Sequence, residues 1–437
     1  MEVILIKALQ LVMALSILVV VHEFGHFIFA RLFKVRVEKF YLFFNPWFSL
    51  FKFKPKNSDT EYGVGWVPLG GYVKIAGMID ESMDKEQMAK PAQEWEFRSK
   101  PAFQRLMIMI GGVLFNFILA IVIYAGIAFH WGDVYLPLKN VKAGMEFSEV
   151  GKNAGFKDGD IILAVDGTPM ETMDIQKIGE AKNVTVLRGG SEVEVAIPED
   201  LMQQIIAANT WFSRERIPFV IGDLAQISNA SDAGLAVGDS LVAINGVATP
   251  SMGNVSNELK KHKGETIAIE FYRNGVLSSL PVTVNPEGFI GVVNKPVSEM
   301  YELVQKKYTL LESVPVGIQK GMDRLTGYVS SMKYIFTKEG AQSVGGFVSI
   351  GNIFPSVWNW QAFWSLTAFL SIILGVMNIL PIPALDGGHV MFLLYEVVTR
   401  RKPSEKFMEY AQVMGMMILF GLLIFANGND LFKLFFK

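Results

Sequence analysis

The segment HEFGH at residues 22–26 places two histidines four positions apart, with a glutamate directly after the first. On a helix such positions share a face, so His22 and His26 can grip one cation. Glu23 then lies within reach of water held by that cation. Zinc lowers the pKa of bound water to about 7, and a neighbouring carboxylate can take its proton as the water attacks a carbonyl. A hydrolytic zinc site wants a third protein donor and an open position. The chain has no cysteine and only five histidines, so disulfides and thiolate sites are excluded and candidate donors are few. Leu32 and Phe33 occupy the stretch where a third nearby histidine would fall, and Glu38, set among basic residues, reads as solvated. Asp386, in NILPIPALDGGH at 378–389, is the stronger candidate. A lone carboxylate in an apolar segment is costly, and a metal neutralises it. The plainer alternatives are two buried imidazoles that only hydrogen-bond, and an Asp386 paired with a lysine or arginine. His389, three residues on, reads as a neighbour of the site, and His130 and His262 as solvated.

The surrounding sequence is that of a membrane protein. Hydrophobic residues make up 51% of the 437 and charged residues 19%, and the mean hydropathy is +0.33. Residues 4–33 are apolar for longer than the roughly 20 residues a helix needs to cross a bilayer. The run is too long for a signal peptide and lacks a small-residue cleavage site. Further spans are expected at 103–129, 362–398 and 409–427. Pro381 and Pro383 must break the third, because proline lacks the amide hydrogen a continuous helix uses. The net charge of −2 gives no basic field for nucleic acid, so no nucleic-acid partner is expected.

Charge asymmetry sets the orientation. Arg31, Lys34, Arg36, Lys39, Lys52, Lys54 and Lys56 follow the first span, and Arg400, Arg401, Lys402 and Lys406 follow the third. Both loops are therefore expected in the cytoplasm, with residues 130–361 outside. That outer segment repeats itself: AGFKDGDIILAVDGTP at 154–169 aligns with AGLAVGDSLVAINGVA at 233–248. Each copy leads into a β-rich run, and hairpins are expected at Gly189-Gly190 and Asn274-Gly275. EYGVGWVPLGGYVKIAG at 61–77 reads as a β-hairpin on the cytoplasmic side. Residues 310–345 have amphipathic helical spacing and are expected on the outer membrane surface. Trp358, Trp360 and Trp364 read as an interfacial belt.

HEFGHFIFAR, PLGGYVK at 68–74, FNFILA at 115–120 and NILPIPALDGG together resemble the site-2 protease family of intramembrane zinc metalloproteases. The likeness is to the bacterial type with tandem PDZ domains between spans two and three. The repeats, with G-L-x-x-G-D at 234–239, fit PDZ domains. The resemblance implies one Zn2+ on His22, His26 and Asp386, with Glu23 as general base. It assigns Asn378 to substrate backbone, with Pro381 and Pro383 shaping that loop, and Gly70 and Gly71 to a membrane-reentrant β-loop. An extended peptide could add to that loop's edge as a strand. Asn116 would steady a zinc ligand, contact substrate, or tie helices together. Gly111-Gly112-Val113 and Gly346-Phe347-Val348 depart from the family's A-G-P and G-P-I elements without removing a ligand.

The expected fold is thus a multi-span α-helical membrane protein: four transmembrane helices, a cytoplasmic-side membrane β-hairpin and two extracytoplasmic β-rich PDZ domains, at 130–212 and 213–297. Residues 34–102 form the hairpin-bearing loop, 298–361 a helical linker, 399–408 a cytoplasmic loop and 428–437 a tail. The expected function is hydrolysis of transmembrane segments of single-span proteins, such as anti-sigma factors and signal peptide remnants. It would proceed in the lipid bilayer of the bacterial inner membrane, by a monomer with its PDZ domains in the periplasm. Two rival classes are an inert membrane scaffold recruiting partners through PDZ domains, and a metal transporter. The transporter would need polar groups recurring along several spans.

Overall fold

The computed structural model describes residues 2–68, 70–78, 91–208, 210–225 and 228–436. It divides into two units, Met1–Gly132 with Lys307–Lys437, and Asp133–Lys306. In the first unit four helices are long and apolar enough to cross a membrane: Glu2–Leu32, Ala102–Trp131, Trp360–Ile379 and Lys406–Lys433. The first span ends where Lys34 turns left-handed and the Val35 amide bonds back to the Ala30 carbonyl at 2.8 Å, a usual way to satisfy orphan carbonyls at a helix end.

Glycines let the first two spans touch. A Cβ on Gly25 would stand 2.6 Å from the Gly111 carbonyl carbon, and one on Gly111 would stand 2.7 Å from the Phe29 ring. Association of apolar helices in lipid depends on such close packing, because lipid is as apolar as the side chains. The second and third spans are tied by the Ser371 hydroxyl, which donates to the Asn116 carbonyl at 2.8 Å. Gln10 in the first span donates to the Pro355 carbonyl at 3.0 Å. The Leu310–Ser331 helix packs lengthwise on the second span, with Gly317 against Ala125 and Gly321 against Ile121. Amphipathic spacing alone did not specify that partner.

The third span stops at Ile379, and a second helix, Asp386–Thr399, starts afresh. Pro381 and Pro383 lie in the connection, where Ala384 adopts a left-handed backbone of φ 80°. The new helix folds tightly on this connection: a Cβ on Gly388 would stand 2.6 Å from Pro383 Cα. A buried pair then holds it to the second span, Arg105 Nη2 to Glu396 Oε1 at 2.5 Å.

Between the first two spans lies a four-stranded sheet of β1 (Val37–Leu42), β2 (Phe51–Phe53), β3 (Glu61–Val64) and β4 (Tyr72–Ile75), in the order β2-β3-β1-β4. The hairpin expected at 61–77 is corrected here. β3 and β4 do not pair with each other; β1 runs between them, parallel to β3 and antiparallel to β4. Alternating apolar residues identify strands but not their partners, and an isolated hairpin buries too little to stand alone. Leu69, in the connection, lies outside the described residues. Glu38 is not simply solvated either, since Lys74 of β4 pairs with it at 3.3 Å.

The second unit holds two apolar cores, one around Phe147, Phe156, Ile162 and Phe212, the other around Ile221, Ile244, Ile269 and Phe271. The sequence repeat is also a repeat of interactions. Arg188 pairs with the buried Asp160 at 2.7 Å and donates to the Gly155 carbonyl at 2.9 Å. Arg273 pairs with the buried Asp239 at 2.6 Å and donates to the Gly234 carbonyl at 2.8 Å. Hairpins close at Gly189-Gly190 and Asn274-Gly275, all four residues having positive φ, as two-residue turns of this type demand. The two cores are stitched through Glu146, whose carboxylate accepts from Arg214, Ser251 and Asn254, each at 3.1 Å. The first and last strands of the unit, Asp133–Tyr135 and Val304–Lys306, pair with each other.

Burial alone would raise the Asp239 carboxyl, but the Arg273 guanidinium and the Ala236 amide outweigh it and hold the group below the usual carboxylate range. A depressed folded pKa means the pair's stabilisation is full above the unfolded value of about 3.9 and is lost as pH falls through the folded one. In Asp239→Asn, hydrogen exchange measured on the whole chain should speed up around residues 234–239 and leave the first core protected. Its unfolding should also depend less on pH below about 4. Equal acid sensitivity in parent and variant would remove this pair from the account.

Candidate metal centre and cleft

His22 and His26 are consecutive turns of one face of the first span, and both are buried. Asp386 is the first residue of the helix after the proline break. That break brings it onto the two imidazoles: Asp386 Oδ2 lies 3.2 Å from His22 Nε2 and 3.3 Å from His26 Nε2. The two Nε2 atoms are 3.3 Å apart. Among the described residues this is the one group of three or more such side chains whose donor atoms converge in this way.

The donors fit a tetrahedral cation. Zinc bonds of about 2.0–2.1 Å in a tetrahedron imply ligand-to-ligand edges of about 3.3–3.4 Å, close to the triangle seen. Proton bookkeeping agrees. His26 Nδ1 sits 2.8 Å from the Ile108 carbonyl, so it carries the hydrogen and leaves Nε2 a lone pair. Asp386 Oδ2 is buried with no hydrogen-bond donor among the described residues. Lone pairs facing a carboxylate at this range repel unless a cation sits among them.

Glu23 faces the same space, and the Val73 backbone amide donates to its carboxylate. A cleft of about 440 Å3 opens there, lined by His22, Glu23, His26 and Asp386, by Gly71 to Ile75, and by Gln412 of the fourth span. β4 is the last strand of its sheet, so among the described residues its outer backbone edge has no partner strand. The sheet is seated against the first span at Gly71, where a Cβ would stand 2.6 Å from Val19 Cγ1.

The other residues singled out in the sequence fall in different places. Asn378 joins the donors, its Nδ2 lying 3.2 Å from His22 Nε2. Gly71 is on the cleft wall, whereas Gly70, Pro381 and Pro383 are not; the two prolines shape the connection behind it. Asn116 is fully buried behind the site, with Nδ2 3.1 Å from His22 Nδ1, and is also off the wall. His389 lines the cleft. Two residues escaped sequence reasoning. Gln412 lies in a span with no motif; its sequence signal is a carboxamide in an otherwise apolar run, and the structure buries it at 4% exposure. Gly112 was noticed only as a departure from a pattern, yet it forms the surface on which both imidazoles rest: a Cβ there would stand 2.6 Å from His22 Cε1.

Gly112→Ala should therefore displace both rings. Purified protein should lose most of its bound metal by elemental analysis while its helical circular dichroism stays at the parent level. Full metal content in that variant would show that the rings can relax around a methyl group.

Comparison with known proteins gives a consistent result. The family model for peptidase family M50 matches residues 10–422. A regulator of sigma E protease of Haemophilus influenzae is 29% identical, with 97% of this chain and 98% of the relative covered. The regulator of sigma-E protease RseP of Escherichia coli K12 is likewise 29% identical over 97% and 98% of the two chains. Protease RseP of Yersinia pestis is 28% identical over the same shares. With the match running through HEFGH, the glycine-rich strands and the LDG turn, the chain belongs to peptidase family M50 and is a zinc metalloprotease.

Proposed function

We propose that the chain cleaves transmembrane segments of single-span proteins within the bilayer, with His22, His26 and Asp386 holding zinc and Glu23 as general base. The observation that carries this reading is the triangle of donors beside Glu23, at the head of a cleft walled by an unpaired strand edge. Relatives named as regulators of sigma E support anti-sigma factors as a substrate class, and signal peptide remnants share the same single-helix chemistry.

A transmembrane helix hides its carbonyls in its own hydrogen bonds, so it must be unwound before hydrolysis. The edge of β4 supplies backbone partners for an extended segment, which offsets part of that cost. Zinc held by the three donors supplies the Lewis acid that makes water nucleophilic near neutral pH. Glu23 takes the proton from the attacking water and delivers it to the leaving nitrogen as the C–N bond breaks. Asn378 is placed to hold substrate backbone beside His22. Asn116 acts from behind. The ligating tautomer of His22 keeps its proton on Nδ1, and a half-turn of the Asn116 amide offers that proton Oδ1, a buried oxygen without a hydrogen-bond partner among the described residues. One chain supplies every group, so a monomer suffices.

We assign the two repeats of the second unit to PDZ domains on the periplasmic side, on the strength of their G-D turns and the charge asymmetry of the loops. Their role in this reading is to exclude substrates that still carry a bulky outer domain.

Glu23→Gln should keep its zinc but cleave a transmembrane reporter roughly a hundred- to ten-thousandfold more slowly. Chelation should silence the parent and added zinc restore it. A Glu23→Gln enzyme that cleaves at the parent rate would overturn the base assignment, and a parent that cleaves no reporter would favour the inert scaffold reading. Excision of residues 140–295 leaves the paired strands Asp133–Tyr135 and Val304–Lys306 to close the chain. This shortened enzyme should cut substrates whose outer domain has not been removed. Selectivity equal to that of the parent would refute the filter.

A further inference from the structure

We infer that Gln412 of the fourth span is a bifunctional residue of the cleft: its carboxamide oxygen holds the turn that aims Asp386, and its carboxamide nitrogen receives a backbone carbonyl of the bound peptide. This rests on the protease reading above.

The turn between the two helices of the third segment is closed by the Leu385 amide donating to the Ile382 carbonyl at 3.0 Å, which leaves the Ala384 amide to find its partner elsewhere. Pro381 and Pro383 have no amide hydrogen to bond the turn together. Ala384, two residues before Asp386, sits at φ 80°, a conformation an L-residue with a Cβ rarely takes. The Ala384 amide points out of the turn and donates to Gln412 Oε1 at 3.1 Å, which adds a tie from the fourth span to the turn's own backbone bond. One turn on along the fourth span, Gly415 lies so close to Pro383 that a Cβ would stand 2.9 Å from the Pro383 Cβ. Gln412 and Gly415 are three residues apart and so share a helix face. The fourth span thus meets this turn through one side-chain acceptor and one glycine, and Asp386 follows directly.

The other end of the carboxamide is uncommitted. Gln412 is almost fully buried, which normally obliges each polar atom to find a partner. Among the described residues its Nε2 has none, yet it is not sealed off from the cleft that Gln412 helps to line. A donor left open on the wall of a space shared with Glu23 and the edge of β4 suits one ligand chemistry, the carbonyl oxygen of an extended peptide. β4 offers main-chain groups to such a peptide, and Gln412 adds a side-chain donor from a separate element. A hydrophobic residue at 412 would leave the Ala384 amide without its acceptor.

Two substitutions separate the two roles. Gln412→Glu keeps an acceptor for the Ala384 amide but removes the donor. Gln412→Leu removes both. Each is made in the full-length enzyme and read in two ways: zinc retained against a fixed concentration of EDTA, and KM and kcat on a transmembrane reporter. Gln412→Leu should hold zinc roughly 10–100-fold more weakly, as loss of a ligand-orienting contact does. Gln412→Glu should hold zinc as the parent does, with KM raised roughly fivefold, the worth of one neutral hydrogen bond, and kcat near the parent value. Parent-like zinc retention in the leucine variant overturns the anchoring role, and an unchanged KM in the glutamate variant overturns the substrate contact. If the leucine variant does not fold, weakened zinc retention in the glutamate variant would equally overturn the anchoring role. If the parent itself cleaves no reporter, the protease reading falls, while the EDTA comparison still decides whether Gln412 anchors the turn.

Discussion

The close approach of the first two spans at Gly25 and Gly111 is the contact on which the rest of the site depends. It lets two helices meet backbone to backbone, so that Gly112 lies flat beneath the His22 and His26 rings. In hydrocarbon there is no water to drive such an association, and dispersion between close surfaces must do it. The same contact brings the Ile108 carbonyl to His26 Nδ1 and Asn116 to His22 Nδ1. Thus one packing event sets the place of both rings and, through the Ile108 carbonyl, the tautomer of His26.

The third donor arrives by a different route. A continuous third span would carry Asp386 past the histidines. The proline break stops the helix at Ile379, and the chain turns and restarts with Asp386 as its first residue. At that position the carboxylate also meets the positive end of the new helix. The left-handed backbone at Ala384 is held by the bond from the Leu385 amide to the Ile382 carbonyl and by Gln412, and further along the new helix Glu396 pairs with Arg105 of the second span. Strain stored beside a functional group, and supported from several sides, is a common arrangement at active sites.

The sheet brings the backbone of β4 to the cleft wall. A free strand edge is a liability in most proteins because it recruits other chains. Here the edge of β4 lines the same cleft as Glu23, where the proposed reading has it receive an extended peptide. Because β1 occupies the middle of the sheet, β4 is left with one paired edge and one open edge.

Much of the site was legible in the residues themselves. HEFGH reports a shared helix face through its spacing, and Asp386 reports a neutralising partner because an unpaired carboxylate in an apolar segment is too costly to keep. The two-residue turns at Gly189-Gly190 and Asn274-Gly275 were legible for the same kind of reason, since the backbone they need admits few residue types. These are local properties, decided by periodicity, backbone freedom and the cost of burial. Partnership was not legible. That β1 separates β3 from β4, that Asn116 stands behind His22 rather than in the cleft, that Gly112 floors the rings and that Gln412 reaches Ala384 all depend on which surfaces meet. Contacts between residues tens of positions apart are chosen by packing of the whole chain, and only the tertiary structure decides them.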